Sequence, residues 1–317
     1  MKFSKAFRVS VIVTSVALLS TLQAAAQTSR IGNGNPATSK QLYGVAVLGR
    51  LNIEPGSPIS FDHSCTVSLI SPTRVMTATH CITKKFGDPQ QGDLRYVLFS
   101  SNNRNPYQII KNNNFRSIKE IEDAGITVRK IEPKNHIFPA SFKRGSDMVF
   151  RETWNDLMFL SITPAVNSIK PLAIANRATV QNIKPGDKLK LAGFGYTSSN
   201  DDSTAPKTRP AVLQQAYLNA ISSSQCKILQ ANFPNFAICT TPIKSTDGTQ
   251  AAGCSGDSGA PLMVFNEETK RHEIVGVHSY SATNTGKCTS ARVQAAMKPT
   301  AFAAWVDSVS KTGYSIK

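Results

Sequence analysis

Cys254-Ser255-Gly256-Asp257-Ser258-Gly259-Ala260-Pro261-Leu262 is the stretch from which the rest of the chain is read. A serine set between glycines sits on a tight turn whose backbone N–H groups can converge on one point. Such a cradle suits a developing oxyanion. Taken alone the string is weak, because Gly, Asp and Ser also build ordinary turns. Its position after Cys254 and before apolar Ala260-Pro261-Leu262 sharpens it.

A serine hydroxyl needs a base before it attacks anything. Of the five histidines, His80 lies in Thr77-Ala78-Thr79-His80-Cys81, beyond an apolar strand at 65–70 and the Pro72 turn. A histidine beside a half-cystine is held rigidly, although such a residue alone is more often structural. The base in turn needs a carboxylate to fix its tautomer and stabilise imidazolium. Asp156 opens the run Leu157-Met158-Phe159-Leu160. An aspartate abutting an apolar strand is costly to bury without a partner, which points to a functional pairing. A cap at the start of a strand is the plainer reading. Asp147 stands in a similar setting and is the rival.

Composition bounds the alternatives. The chain has 317 residues, 40% hydrophobic and 18% charged, with 19 glycines and 17 prolines. Those values exclude disordered, collagen-like and linker-like chains. The net charge is +16, but the basic blocks Lys84-Lys85, Arg129-Lys130 and Lys143-Arg144 are short and interrupted. No zinc-finger spacing or aromatic RNA-binding signature accompanies them, so the charge reads as a solubilising surface and no nucleic-acid partner is expected. Lys2, Lys5 and Arg8 precede an apolar run at 9–22, and Ala24-Ala25-Ala26 follows. That is the pattern of a secretory signal cleaved after Ala26, too short and wrongly flanked for a mature membrane span. Export allows the six cysteines, Cys65, Cys81, Cys226, Cys239, Cys254 and Cys288, to pair. Six allow 15 connectivities; neighbour pairing would close short loops. None has zinc-ligand spacing, and neither metal nor cofactor is expected.

Short apolar or alternating runs recur at 44–49, 66–70, 96–99, 157–162, 188–194, 213–218, 261–265 and 273–277. Many short strands separated by Gly, Pro and Asn predict a sandwich or barrels. Helix signals are few. Residues 222–229 allow two turns. Residues 300–309 place Phe302, Trp305, Val306 and Val309 on one face, after Pro299 and with Thr300 as cap. The stretch 100–151 reads as polar, irregular surface loops.

Together these residues resemble the trypsin/chymotrypsin-like serine protease family, from Arg30 almost to the C-terminus. Arg30-Ile31-Gly32-Asn33-Gly34 is similar to its activation site, 77–81 to its histidine motif, and Asn155-Asp156-Leu157 to its aspartate motif. Leu191-Ala192-Gly193-Phe194-Gly195 resembles the strand that opens the second barrel, 254–261 the serine motif, 275–281 the substrate-binding strand, and 299–309 the closing helix. The order His, Asp, Ser is the family's, and the neighbour cysteine pairs match its commonest disulfides. Thr79, Ala260, Phe194 and Tyr280 depart from the usual residues in bulk only. The His80–Asp156 gap is longer than usual, which places an insertion near 100–151.

The resemblance implies an all-β fold of two six-stranded antiparallel β-barrels with the active site between them and a C-terminal helix. Residues 1–26 would be the signal peptide, 27–30 a short propeptide and 31–317 the peptidase domain. Within it barrel 1 runs about 31–170, barrel 2 about 171–298 and the helix about 299–311. It implies Ser258 as nucleophile, His80 as base, Asp156 as its orienter with Ser279 donating to it, and Gly256 and Ser258 as oxyanion donors. Cleavage after Arg30 would free an ammonium at Ile31 to pair with Asp257. The product is a secreted, monomeric endopeptidase acting on proteins or peptides, or, had catalysis been lost, a secreted binding protein.

Specificity reads less routinely. Cleavage after Lys or Arg in this family needs a carboxylate six residues before the serine, and Ala252 stands there. The trio His278, Ser281 and Ser255 instead resembles the set with which bacterial glutamyl endopeptidases hold a P1 carboxylate, as does the motif Gly276-Val277-His278-Ser279. An imidazole and two hydroxyls supply the donors a buried acid requires. Arg292 aligns roughly with a further pocket position. A small or apolar P1 is the alternative.

Overall fold

The structure is a computed structural model that describes residues 31, 34–82, 95–132, 156–197, 208–230, 237–244, 250–283, 288 and 291–298. The expected signal segment at 1–26, residues 27–30, Asp147 and the expected closing helix at 299–311 lie outside that set. Among the described residues fourteen strands carry the chain, and they follow from alternating apolar residues bounded by turns. In the N-terminal half they are β1 (Asn35–Pro36), β2 (Val45–Asn52), β3 (Ser60–Ser71), β4 (Arg74–Thr77), β5 (Arg95–Ser100), β6 (Ile126–Ile131) and β7 (Met158–Thr163). In the C-terminal half they are β8 (Ala173–Ile174), β9 (Lys188–Gly193), β10 (Gln214–Ile221), β11 (Ala237–Pro242), β12 (Pro261–Asn266), β13 (Arg271–Thr283) and β14 (Ala291–Met297). Short α-helices intervene: α1 (Pro106–Lys111), α2 (Ile118–Asp123), α3 (Arg177–Gln181) and α4 (Ser223–Leu229).

Strands β2-β3-β4-β7-β6-β5 close one six-stranded antiparallel barrel. In the second sheet β9, β10, β11, β14, β13 and β12 are neighbours in turn, and the β9–β10 pairing closes the ring. The two six-stranded antiparallel barrels expected of the sequence are therefore present. Strand β10 shows the logic of each wall. Gln214, Ala216, Leu218 and Ala220 point inward while Gln215, Tyr217 and Asn219 face outward. Among the described residues closure leaves no long sheet edge. The interior of the first barrel is filled by Val47, Val67, Val75, Leu98 and Leu160 among others, and that of the second by Leu189, Leu191, Leu218 and Val275.

The stretch 100–151 departs from its reading as irregular surface loops. Its described part folds into α1 and α2, each capped by an Asn or Ser side chain (Asn105 and Ser117), and then enters the barrel as β6. The polar residues that suggested loops are caps and outward faces, while Ile109, Ile110, Ile121 and Ile126 are buried. The 222–229 helix forms as expected, with a capping box between Ser222 and Gln225. Three disulfides join Cys65–Cys81, Cys226–Cys239 and Cys254–Cys288, across separations of 16, 13 and 34 residues. The first ties the turn after β4 to β3 and the second ties α4 to β11, and a closed loop of about 15 residues is worth on the order of 3 kcal/mol in the chain-entropy model.

Candidate active site

His80 and Asp156 come from different parts of the first barrel. His80 lies in a short 3-10 turn, Thr79–Cys81, that follows β4, while Asp156 lies just ahead of β7. Because β4 and β7 pair antiparallel, with Thr77 opposite Met158, the end of one meets the start of the other. Asp156 Oδ2 accepts from His80 Nδ1 at 2.6 Å and Oδ1 accepts from the His80 backbone N–H at 2.9 Å. From the second barrel the Ser279 hydroxyl donates to the same Oδ2 at 2.6 Å. Burial alone pushes the Asp156 carboxyl upward. The His80 charge and the hydrogen bonds from His80 and Ser279 outweigh it and hold the group below its ordinary value. Asp156 is therefore an anion at neutral pH, fully buried and fully partnered.

Ser258 lies on the turn between Cys254 and β12. Asp257 N–H donates to the Cys254 carbonyl and Ala260 N–H to the Asp257 carbonyl, both at 2.9 Å, which folds the turn back on itself. The turn is pinned to the first barrel. Thr66 N–H donates to the Ser258 carbonyl at 2.9 Å, and the Thr66 hydroxyl donates to the Gly256 carbonyl at 2.8 Å. Gly256 and Gly259 take φ of +94° and +84°, which an L side chain rarely adopts. At Gly259 a side chain would also strike the Thr77 hydroxyl and the Thr66 carbonyl. Ser258 remains partly exposed while Asp257 before it and Gly259 after it are buried. Among the described residues no hydrogen bond joins Ser258 Oγ to His80; the two meet through the turn, where Thr66 holds the Ser258 carbonyl.

Asp257 is wholly buried, its Oδ1 accepting from Gly195 N–H at 2.7 Å and its Oδ2 from Cys254 N–H at 2.9 Å. The carboxylate lies so close to Gly193 and Gly195 that neither position has room for a Cβ, which is why glycines flank Phe194. Burial raises its carboxyl to about 6. Ile31 is also buried, packed in the core of the second barrel; Arg30 lies outside the described residues.

On β13 and the strand beside it the structure gathers three polar side chains around Gly253. A Cβ there would lie 2.6 Å from His278 Nε2 and 3.0 Å from Gln294 Oε1. The Ser281 hydroxyl donates to the Gly253 carbonyl at 3.0 Å, and Gly253 N–H donates to Gln294 Oε1 at 2.9 Å. Gln294 is fully buried on β14, opposite Ser281, and among the described residues its Nε2 has no partner. Its place in the cluster emerges only from the β13–β14 register. Ala252 is fully buried beside this cluster. Ser255 is exposed, its carbonyl accepting from Tyr196 N–H, and no described hydrogen bond ties its side chain to His278 or Ser281. The Arg292 side chain lies outside the described set. Burial lowers the His278 imidazole to about 4, with the His80 charge adding to it, so in the free protein it is neutral at pH 7 rather than poised near 6.5.

Cys65, His80 and Cys81 form the one tight His/Cys/acid cluster among the described residues, and its two sulfurs are bonded to each other. That leaves no thiolate there for a metal. No described helix is long and apolar enough to cross a membrane.

Known proteins agree with the geometry. The family model described as Trypsin matches residues 31–306. The chain is 23% identical over 234 residues to "CLIP domain-containing serine protease B8" of Anopheles gambiae, covering 72% of this chain and 54% of that protein. It is 26% identical over 265 residues to "Melanization protease 1" of Drosophila melanogaster, covering 81% and 60%. It is 21% identical over 252 residues to "Chymotrypsin-like elastase family member 1" of Felis catus, covering 78% and 79%. The chain thus spans little more than half the length of the first two relatives. With two closed barrels, a His80–Asp156 pair at their junction whose aspartate is fully buried, and a family match over the whole described span, the chain belongs to the trypsin family.

Proposed function

We propose that the chain is a secreted serine endopeptidase with Ser258 as nucleophile, His80 as general base and Asp156 as the group that orients His80. The observation that carries this reading is the doubly bonded His80–Asp156 pair, completed across the barrel interface by Ser279. With Nδ1 committed to the carboxylate, Nε2 is left as the basic nitrogen. Ser258 Oγ attacks the scissile carbonyl carbon while its proton passes to His80 Nε2. The oxyanion is held by the Gly256 and Ser258 N–H groups. Collapse breaks the C–N bond, and His80 returns the proton to the leaving amine. Water then repeats the sequence on the acyl-enzyme and releases the acid. Losing one oxyanion donor in such a site costs about 10²–10³ in rate. Secretion is supported by the signal-like pattern of residues 1–26 and by three disulfides.

The pocket reading is an acidic P1, Glu above all. His278 and Gln294 supply neutral donors around Gly253, Ser281 fixes the Gly253 carbonyl, and Ala252 removes the acid that a basic P1 needs. Ser255, at the exposed rim, serves the outer edge of the site at most. The test is a digest of a proteome-derived peptide library by wild type and Ser258→Ala, with cleavage sites read by mass spectrometry. The reading expects cleavage by the wild type alone and Glu dominant at P1. A preference for small or apolar P1 would overturn the acidic assignment, and absence of cleavage the endopeptidase assignment.

A further inference from the structure

Behind the oxyanion turn lies a buried cation that the mechanism above does not use. Arg209 is 6% exposed. Its Nη2 donates to the His63 carbonyl at 2.9 Å and its Nη1 to the Phe194 carbonyl at 3.3 Å. The guanidinium lies 4.0 Å from the centroid of the Tyr196 ring and 5.4 Å from that of Tyr107. A Cβ on Gly256 would stand 2.5 Å from Nη1, so the guanidinium lies directly beneath the glycine whose N–H faces the oxyanion. Asp257, next in sequence, feels Arg209 as an opposing charge.

The chain reaches this position by a dedicated device. The segment carrying Arg209 is laced to the one leading into α1. Asn105 N–H donates to the Ala211 carbonyl and Asn105 Nδ2 to the Pro210 carbonyl, both at 2.8 Å. Gln108 Nε2 donates to the Arg209 carbonyl at 2.7 Å, and Leu213 N–H to the Asn103 carbonyl at 2.6 Å. Asn103 takes φ of 59° to make that bond. A buried arginine is costly to desolvate, and these hydrogen bonds with another segment hold its backbone in place.

We propose that Arg209 is a positioning residue of the oxyanion turn: an internal cation, seated beneath Gly256 by the 103–108 segment, that holds the Gly256–Ser258 turn, and Asp257 within it, in register. This rests on the reading of Gly256 and Ser258 as oxyanion donors. It gives the 103–108 segment a role in catalysis, as the strap for Arg209. The charged and titratable groups gathered around the guanidinium are Asp257, His63 on β3, Tyr107 on α1 and Tyr196 after β9. Of these only Asp257 is an acid that ionises below neutrality.

The test compares wild type, Arg209→Gln, Arg209→Lys and Ser258→Ala as protein beginning at Ile31, with kcat and KM for a peptide ester followed from pH 5 to 9. Arg209→Gln is expected to lose about one to two orders of magnitude in kcat, short of the 10²–10³ lost with an oxyanion donor itself, with KM changing less. Without the guanidinium the Asp257 carboxyl rises further above about 6, so the acid limb of kcat moves to higher pH. Arg209→Lys keeps the charge without the fork. It should restore the acid limb and only part of kcat. If Arg209→Gln keeps wild-type kcat, or loses kcat with an unmoved acid limb, the proposal is overturned. If Arg209→Gln does not fold, Asn105→Ala frees Pro210 while leaving Arg209 intact. It should show a smaller loss with the limb displaced the same way; an unchanged kcat and limb would overturn the proposal. Failure of the underlying reading looks different, because there Ser258→Ala stays active whatever Arg209 does.

Discussion

Asp156 holds His80 at two points, taking the ring N–H on Oδ2 at 2.6 Å and the backbone N–H on Oδ1 at 2.9 Å. One carboxylate thereby fixes the tautomer and the position of the base together. A side-chain amide at this position would present an N–H where Oδ2 now accepts, forcing the other tautomer. Asp156→Asn is expected to fold and to lose on the order of 10⁴ in kcat near neutral pH. Stopped assays on an ester substrate check this; a loss under tenfold would show that His80 does not depend on Asp156.

The Gly253 cluster makes a prediction about substrates. Removing the His278 imidazole leaves a P1 carboxylate short of a donor in a buried site, which costs about 1–3 kcal/mol. His278→Ala should therefore lower kcat/KM for a Glu-P1 peptide by that amount and barely affect a matched Leu-P1 peptide. Gln294→Leu should do the same more mildly. A bound carboxylate stabilises imidazolium and raises His278 from about 4, so the Glu-to-Leu ratio should grow as pH falls from 7 toward 5. A ratio unmoved by either substitution contradicts the acidic reading.

Stability should fall on acidification. His278, lowered by burial to about 4, stays neutral in the fold while its unfolded form protonates near 6.5. Between those values the unfolded chain binds the extra proton, and stability drops as pH falls. Asp257, raised by burial to about 6 from 3.8, works the opposite way over much of the same range. These two contributions are about 3 kcal/mol each and nearly cancel. His63 then decides the sign, since burial and the Arg209 charge lower it well below 6.5. Half-buried His272, lowered to about 4, adds to it in a screened form. The urea midpoint should decline from pH 7 to 4.5, and His63→Gln should flatten that slope. A midpoint that rises on acidification contradicts the assignment.

The proposed catalytic motifs are legible because each is local. A glycine-bracketed serine, a histidine beside a cysteine and an aspartate before an apolar run each announce themselves within a few residues. Barrel strands with β-branched residues were equally plain. Strand β14 was not, because Ala291, Ala295 and Ala296 have little strand preference of their own and are held there by β11 and β13 on either side. Strand β6 was lost among the polar caps of α1 and α2. Arg209 and His63 lie 146 residues apart and meet only in the fold. Gln294 reaches Gly253 across 41 positions by strand register. No periodicity carries such information.

Activation is a further expected outcome. If an ammonium at Ile31 completes the site by pairing with Asp257, N-terminal sequencing of the active protein should begin Ile-Gly-Asn-Gly. Protein still carrying residues 27–30 should be far less active, since a buried charge lacking its partner costs about 3–5 kcal/mol. Full activity in that longer form would reject control by cleavage.

Ser258 is the residue on which the proposed chemistry depends most. Treating the protein with a serine-directed phosphonylating reagent should add one adduct mass, place it on Ser258 after digestion, and abolish hydrolysis in proportion to labelling. Ser258→Ala should take up no label, keep its three disulfides and lose turnover. Labelling at another residue, or near wild-type turnover by Ser258→Ala, would rule out Ser258 as the nucleophile.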